Sequence, residues 1–165
     1  MRVSIFVGDI ADAPAEAICT STNPRLSLMM GTGASIREKG GWDVLRACEA
    51  IVKEKPLRAG SAVRTTPGTL RCKTIIHCVA SNESHLTSAA IVQACARNAL
   101  VQAQEAGCRS VAMPLFGTGH ARFKFDQALI AIREALAIAP PEIDEVIVVV
   151  FDPARAKDAE RLLLS

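Results

Sequence analysis

The chain has 165 residues, half of them hydrophobic, with 19 basic against 17 acidic side chains. This length predicts a single domain over residues 1–165 with a sizeable core, and the even charge excludes a strongly basic nucleic-acid binder. No apolar stretch reaches the roughly 20 residues of a membrane helix. The six cysteines form no C-x-x-C pair, so we expect buried, reduced thiols in a cytoplasmic protein, without metal or cofactor.

Six segments predict strands; the third is weaker, and the last three, rich in Val and Ile, suit burial on both faces of a sheet. In chain order they are 3–7, 17–22, 61–66, 74–79, 110–115 and 146–151. Apolar residues at three- and four-residue spacing predict the helices between them. These cover about 34–39, 44–52 beyond the breaker Gly40-Gly41, Leu86 to about Gly107, 125–136, and a last helix after Asp152-Pro153. The alternation predicts an α/β fold, with helices on both faces of a mainly parallel sheet.

Two glycine-rich segments lie where such a fold places its ligands. Phe116-Gly117-Thr118-Gly119-His120 follows a predicted strand, and Met30-Gly31-Thr32-Gly33-Ala34 precedes a predicted helix. Glycine allows a ligand to approach the backbone closely, and free N–H groups in such loops bind anions. Two loops of this kind predict a ligand with more than one phosphate or ribose unit.

Polar and aromatic residues at strand ends are further candidates, each with an ordinary alternative. Asp9 has the chemistry to accept from an amine such as that of adenine, or else caps a turn. Asn23 suits a ribose hydroxyl, or else forms an Asx turn, and Phe151 stacks on a base or packs in the core. His120 contacts phosphate or faces solvent, whereas His77, inside an apolar strand, is predicted to be a buried structural residue.

Taken in order, these segments resemble the macro domain family over roughly residues 3–151. The resemblance rests on Gly-Asp-Ile, Thr-Ser-Thr-Asn, the glycine segment before Ile-Arg-Glu-Lys-Gly-Gly, Thr-Ile-Ile-His-Cys-Val, and Val-Ala-Met-Pro-Leu-Phe-Gly-Thr-Gly. From Gly33 through Cys78 the chain is most similar to the macro domain of the histone variant macroH2A. The resemblance implies a three-layer α/β/α fold with a mixed, mainly parallel sheet, and binding of ADP-ribose, free or attached to a macromolecule.

The resemblance also implies a role for each candidate. The adenine end comprises Asp9, which takes the amine, Ile10, which offers backbone contacts, and Phe151, which stacks. The distal ribose and its phosphate are held by Asn23, Gly31, Thr32, Gly33 and Ala34. The diphosphate is cradled by Gly117, Thr118, Gly119 and His120.

The chain departs from the hydrolases of this family. Their sequence pattern resembles Asn-Ala-Ala-Asn, followed by a glycine run and then by an Asp that helps activate water. Aligned through Asn23 and Ile36, Gly33 stands at the position of that Asp. Ala121 stands at the position of a ribose-orienting aromatic. Arg122 stands at a usual glycine, where it either contacts the ligand or closes the pocket.

The sequence therefore predicts a non-catalytic reader of ADP-ribose. One alternative is a hydrolase of ADP-ribosyl esters or of ADP-ribose 1″-phosphate, with Asn23 and His120 as candidate catalytic residues. A second is a degenerate domain that serves as a protein scaffold, for which Ala121 and Arg122 are the motivation. Whether the protein is an enzyme, and its oligomeric state, stay open at this point.

Overall fold

Six strands form one mixed sheet in the computed structural model, which describes residues 1–165. The strands are β1 (Arg2–Val7), β2 (Ala17–Thr22), β3 (Ala62–Thr65), β4 (Thr74–Val79), β5 (Ser110–Pro114) and β6 (Glu145–Val150). Their order across the sheet is β1-β6-β5-β2-β4-β3. Every neighbouring pair is parallel except β3 with β4. The predicted mixed, mainly parallel sheet is confirmed.

Five α-helices cover the two faces of this sheet. They are α1 (Gly31–Gly40), α2 (Trp42–Ile51), α3 (Ala89–Glu105), α4 (Phe125–Leu136) and α5 (Ala156–Leu164). Short 3-10 helices lie at Ile10–Asp12 and Pro153–Arg155. The break at Gly41, where φ is +87°, separates α1 from α2 as predicted. None of the helices combines the length and the apolar character that crossing a bilayer requires.

The starts of α1 and α3 differ from the predictions by three residues each. Helix α3 begins at Ala89 and not at Leu86, because the Ser88 side chain accepts from the Ile91 amide and caps the helix. Leu86 lies outside the helix and is 63% exposed. Helix α1 begins at Gly31, so the glycine segment predicted to be a loop is the first turn of a helix. The Thr32 hydroxyl holds that turn against β2.

The core consists of two layers, one on each face of the sheet. The larger cluster, of 28 buried residues, packs α3, α4 and α5 on one face. The smaller, of 15, packs α1 and α2 on the other. All six residues of β4 are buried, with Ile76 and Cys78 in the larger cluster and Ile75 and Val79 in the smaller. This arrangement is the three-layer α/β/α fold, and all six cysteines are buried in it.

His77, on β4, is fully buried, as predicted. Its Nε2 lies 2.7 Å from the Thr65 hydroxyl, and both ring nitrogens lie 3.7 Å from the Cys48 sulfur. Burial lowers the pKa of His77 to about 4, so the imidazole is neutral at pH 7. His77 does not line the cleft described below and is a structural residue of the core.

Candidate functional site

A cleft of about 950 Å³ opens at the carboxyl ends of the parallel strands, where open α/β sheets bind their ligands. We call it the main cleft. Its walls come from the segments that follow β1, β2, β4, β5 and β6, together with the first turn of α1. The sheet therefore gathers into one site residues that are far apart in the sequence.

Most of the predicted site residues line this cleft. They are Asp9, Ile10, Asn23, Gly31, Thr32, Gly117, Thr118, Gly119, His120, Ala121, Arg122 and Phe151. Gly33 and Ala34 do not line it, because both lie inside α1 beyond its exposed start. Arg122 is exposed, and the cleft remains open beside it.

Asp9 stands at one end of the cleft as a fixed, ionised acceptor. Its Oδ1 accepts from the Ala11 amide at 2.8 Å, and its Oδ2 accepts from the Ser35 hydroxyl at 2.9 Å and from Lys39 Nζ at 3.4 Å. Burial alone would raise the pKa of Asp9, but these hydrogen bonds and the Lys39 charge lower it below its ordinary value. Because Oδ1 accepts only one of these bonds, it keeps room for a further donor.

Phe151 and two methionines form an apolar rim on the cleft. Phe151 follows β6 and is 82% exposed, so the alternative of core packing is wrong. Met29 and Met30, 67% and 56% exposed, precede α1. Such exposed apolar side chains at the edge of a cleft suit a flat, stacking ligand.

Hydroxyl groups fasten both glycine segments to the end of β2. Thr32 Oγ1 lies 3.0 Å from Thr20 Oγ1 and accepts from the Ser21 amide at 3.0 Å. Ser21 Oγ in turn accepts from the Gly117 amide at 3.3 Å. Ser21 was not among the predicted site residues, although three consecutive hydroxyl residues at the end of a buried strand were a usable signal. Ser21 therefore links the two segments, because its amide donates to Thr32 and its hydroxyl accepts from Gly117.

The loop between β5 and α4 lines the cleft and contains free backbone amides. Thr118 closes its first turn by donating to the Leu115 carbonyl, and the Arg122 amide closes the next turn on Gly119. Between these turns, the amides of Gly119, His120 and Ala121 donate to no protein acceptor. Consecutive free N–H groups of this kind form a nest for an anion.

Asn23 adopts the Asx turn that was the alternative for it, and it still lines the cleft. Its Oδ1 accepts from the amides of Arg25 at 3.1 Å and Ser27 at 3.2 Å. The side-chain NH₂ group donates to no protein acceptor, so it is free for a ligand. Asn23 therefore offers a ligand the NH₂ group as a donor, whereas its side-chain carbonyl oxygen is already occupied.

His85, which the sequence analysis did not include in the site, joins His120 across the cleft. The two rings meet edge to face with centroids 4.4 Å apart. His85 lies in the β4–α3 loop with a φ of +60°, and His120 lies in the β5–α4 loop. No local pattern links residues 35 positions apart, so only the fold reveals this pair.

The position of the hydrolase Asp holds no acid here. Gly33 is buried, and a Cβ built on it would lie 3.1 Å from the Leu28 Cα. Asp9, at the other end, is the only carboxylate that lines the main cleft. Within the main cleft, Asn23 therefore has no neighbouring carboxylate to activate water, and Glu83, in the adjoining space, is paired with Arg25.

Comparison with known proteins agrees with this geometry. The family model described as "Macro domain" matches residues 19–132. A macro domain-containing protein of Streptomyces griseus is 34% identical over 98% of this chain and 94% of its own length. Another, from Streptomyces coelicolor, is 32% identical over 95% of both chains. These relatives are bacterial, and they support the family without singling out the macroH2A subgroup.

Solved structures show the same fold. The Oceanobacillus iheyensis macrodomain with MES bound superimposes with a TM-score of 0.87 at 22% identity, over 97% of this chain and 89% of that one. The Trypanosoma brucei macrodomain in complex with ADP-ribose gives 0.82 at 19% identity, over 98% of this chain and 67% of that one. From the family model, the relatives and the fold together, the chain belongs to the macro domain family.

Proposed function

We propose that this protein binds ADP-ribose in the main cleft, either free or attached to a macromolecule. The observation that carries the proposal is the run of three free amides at Gly119, His120 and Ala121, in a cleft whose other end holds the ionised Asp9. The free amides suit a diphosphate, and the Asp9 carboxylate suits an exocyclic amine. The macrodomain of Trypanosoma brucei was solved with ADP-ribose, which adds support from a protein of the same fold.

In this proposal, Asp9 Oδ1 accepts from the adenine amine, and the exposed Phe151 ring stacks on the base. Ile10, which is 3% exposed, contributes its backbone. The β5–α4 loop holds the diphosphate, with the start of α1 opposite, where the first amides of a helix lack intrahelical partners. Asn23 donates to the distal ribose. Arg122, in the wall of the cleft, adds a charge-assisted contact to phosphate.

We further propose that the protein is a reader of ADP-ribose and not a hydrolase. The support is chemical: Asp9, the only carboxylate in the main cleft, is already engaged by Ser35 and Lys39. Glu83, in the space beside Asn23, is engaged by Arg25. The hydrolase alternative retains His120 as a candidate base, because this imidazole lines the cleft. The open cleft argues against the scaffold alternative, which needs Arg122 to close the pocket.

Isothermal titration with ADP-ribose, ADP and AMP tests the binding proposal. We expect ADP-ribose to bind most tightly, and Asp9→Ala to weaken it at least about tenfold through loss of a charged hydrogen bond. Asp43→Ala removes an exposed carboxylate on α2, away from the cleft, and is the matched control. Absence of heat with ADP-ribose would refute the proposal.

Incubation with an ADP-ribosylated protein tests the reader proposal separately. We expect no release of ADP-ribose over hours at micromolar protein. Release that is abolished by His120→Ala would replace the reader with the hydrolase and assign His120 as its base. Release that survives His120→Ala would also exclude the reader, and would exclude that role for His120.

We propose a cytoplasmic location, supported by the cysteines. All six are free and buried, and burial raises the pKa of the Cys95 thiol to about 12. Thiols held protonated in a core are inert, which suits a protein that folds in a reducing compartment. Fractionation of cells that express the protein tests this location.

A further inference from the structure

A second cavity, of about 340 Å³, adjoins the main cleft, and we call it the side cavity. It shares Asn23, Ser27 and His85 with the main cleft, and its remaining walls include Arg25, Asn82 and Glu83. The shared residues make the two spaces neighbours. A group bound at that end of the main cleft therefore lies beside the side cavity.

The sheet places the side cavity at the end of the cleft that is remote from Asp9. Asp9 follows β1, at one edge of the sheet, whereas Asn23 follows β2 and Asn82 follows β4. From β1 to β4 is four strand spacings, or roughly 19 Å at about 4.8 Å for each spacing. If adenine lies at Asp9, the distal ribose reaches the side cavity.

The walls of the side cavity are polar, and an ion pair and hydrogen bonds hold them in place. Arg25 and Glu83 form an ion pair across it, with 3.3 Å between Nη2 and Oε1. Asn82 Oδ1 accepts from the amides of Ser84 at 2.9 Å and Leu86 at 3.0 Å, which fixes the β4–α3 loop. Like Asn23 on the facing wall, Asn82 keeps its NH₂ group as a free donor.

We propose that the side cavity receives the polypeptide segment that flanks an ADP-ribosylated side chain. This inference rests on the proposed function, because the modified side chain leaves from the distal ribose. A peptide backbone carries both donors and acceptors, and the side cavity offers both: the amide NH₂ groups and Arg25 donate, and Glu83 accepts. A nucleic-acid acceptor fits less well, because the Arg25–Glu83 pair carries no net charge and gives phosphates no excess of positive charge to bind.

Calorimetry with three probes tests this inference. The probes are free ADP-ribose, a neutral Gly/Ser decapeptide with ADP-ribose on a central serine, and an oligonucleotide with ADP-ribose on its terminal phosphate. We expect the peptide conjugate to bind at least about tenfold tighter than free ADP-ribose, the gain of a few added hydrogen bonds. The oligonucleotide conjugate should show no such gain.

The double variant Arg25→Ala/Glu83→Ala removes polar walls that belong to the side cavity alone. We expect it to reduce the affinity of the peptide conjugate to that of free ADP-ribose, whose own affinity stays unchanged. Arg2→Ala/Glu145→Ala removes an ion pair at the amino ends of β1 and β6 and is the matched control, with no effect on either probe.

Each contrary result has a distinct meaning. Equal affinity of the wild-type protein for peptide conjugate and free ADP-ribose overturns the inference and leaves the proposed function intact. A double variant that still binds the peptide conjugate more tightly than free ADP-ribose also overturns the inference and leaves the proposed function intact. A gain for the oligonucleotide conjugate alone overturns the assignment to a peptide. No binding of free ADP-ribose overturns the proposed function and this inference with it.

Discussion

Gly117 illustrates how one residue sets the geometry of the β5–α4 loop. Its φ is +78°, and a Cβ at this position would lie 3.2 Å from the Thr87 Cγ2. The backbone conformation therefore favours glycine, and a Cβ would in addition crowd the Thr87 side chain. The sequence analysis identified the residue from its neighbours, but Thr87 is 30 positions away, and only the fold shows the contact.

Gly117→Ala should destabilise the protein by about 1–3 kcal/mol, the usual cost of an unfavourable backbone conformation. Thermal unfolding measures this loss. Gly119→Ala is the control, because a Cβ there meets no atom within 4 Å and the backbone is outside the left-handed region. Equal losses in both variants would contradict the role assigned to Gly117.

His77 should make folding stability depend on pH. The unfolded imidazole titrates near 6.5, whereas burial lowers the pKa of folded His77 to about 4. Between these values the unfolded state binds more protons, so its free energy falls relative to the folded state as pH decreases. The free energy of unfolding should drop by about 2 kcal/mol from pH 7 to pH 5.

Urea unfolding of wild type and His77→Gln at both pH values measures this effect. The variant has a lower stability at pH 7, but it should lose much less stability on going to pH 5. Equal losses in the two proteins would show that His77 does not cause the dependence.

At the scale of elements, the strands were predictable and the starts of two helices were not. Continuous Val and Ile runs, as in β4 and β6, are typical of strands buried on both faces, and their bounds shift by one residue at most. Helix α1 begins with glycines, which are poor helix formers. Its first turn is held by bonds from Thr32 to β2, a tertiary contact that local pattern does not encode.

The same limit explains the candidate site. The sequence identified Asp9 and the two glycine segments, because strand ends and glycines are local signals. It missed Ser21 and His85, whose roles depend on partners in other elements. It also missed the side cavity, which exists only where the end of β2 meets the β4–α3 loop.

Thr32→Val should loosen the first turn of α1 from β2. Valine keeps the shape but removes the hydroxyl, which leaves the Ser21 amide without its acceptor. We expect a loss of about 1–2 kcal/mol in unfolding free energy, together with weaker ADP-ribose binding. Thr32→Ser keeps the hydroxyl and should restore most of both quantities. Equal behaviour of the two variants would exclude the anchoring role.

At the scale of the whole molecule, ligand binding and folding are linked. A ligand that binds only the folded chain at 100 times its Kd stabilises it by about 2.7 kcal/mol. For a chain of this size we expect ADP-ribose to raise Tm by roughly 5–10 °C. AMP, which lacks the diphosphate and the distal ribose, should give a smaller shift at the same concentration. No difference between them would count against the role of the β5–α4 loop.

The pairing of the first strand with the last has a consequence for synthesis. Val7 is in register with Val150, so the wall that holds Asp9 is brought beside Phe151 only when β6 joins the sheet. A chain still being translated already contains both glycine segments, yet it lacks β6, the strand that joins β1 to β5. Binding competence therefore arises only after residues 145–150 have been synthesised and β6 has joined the sheet.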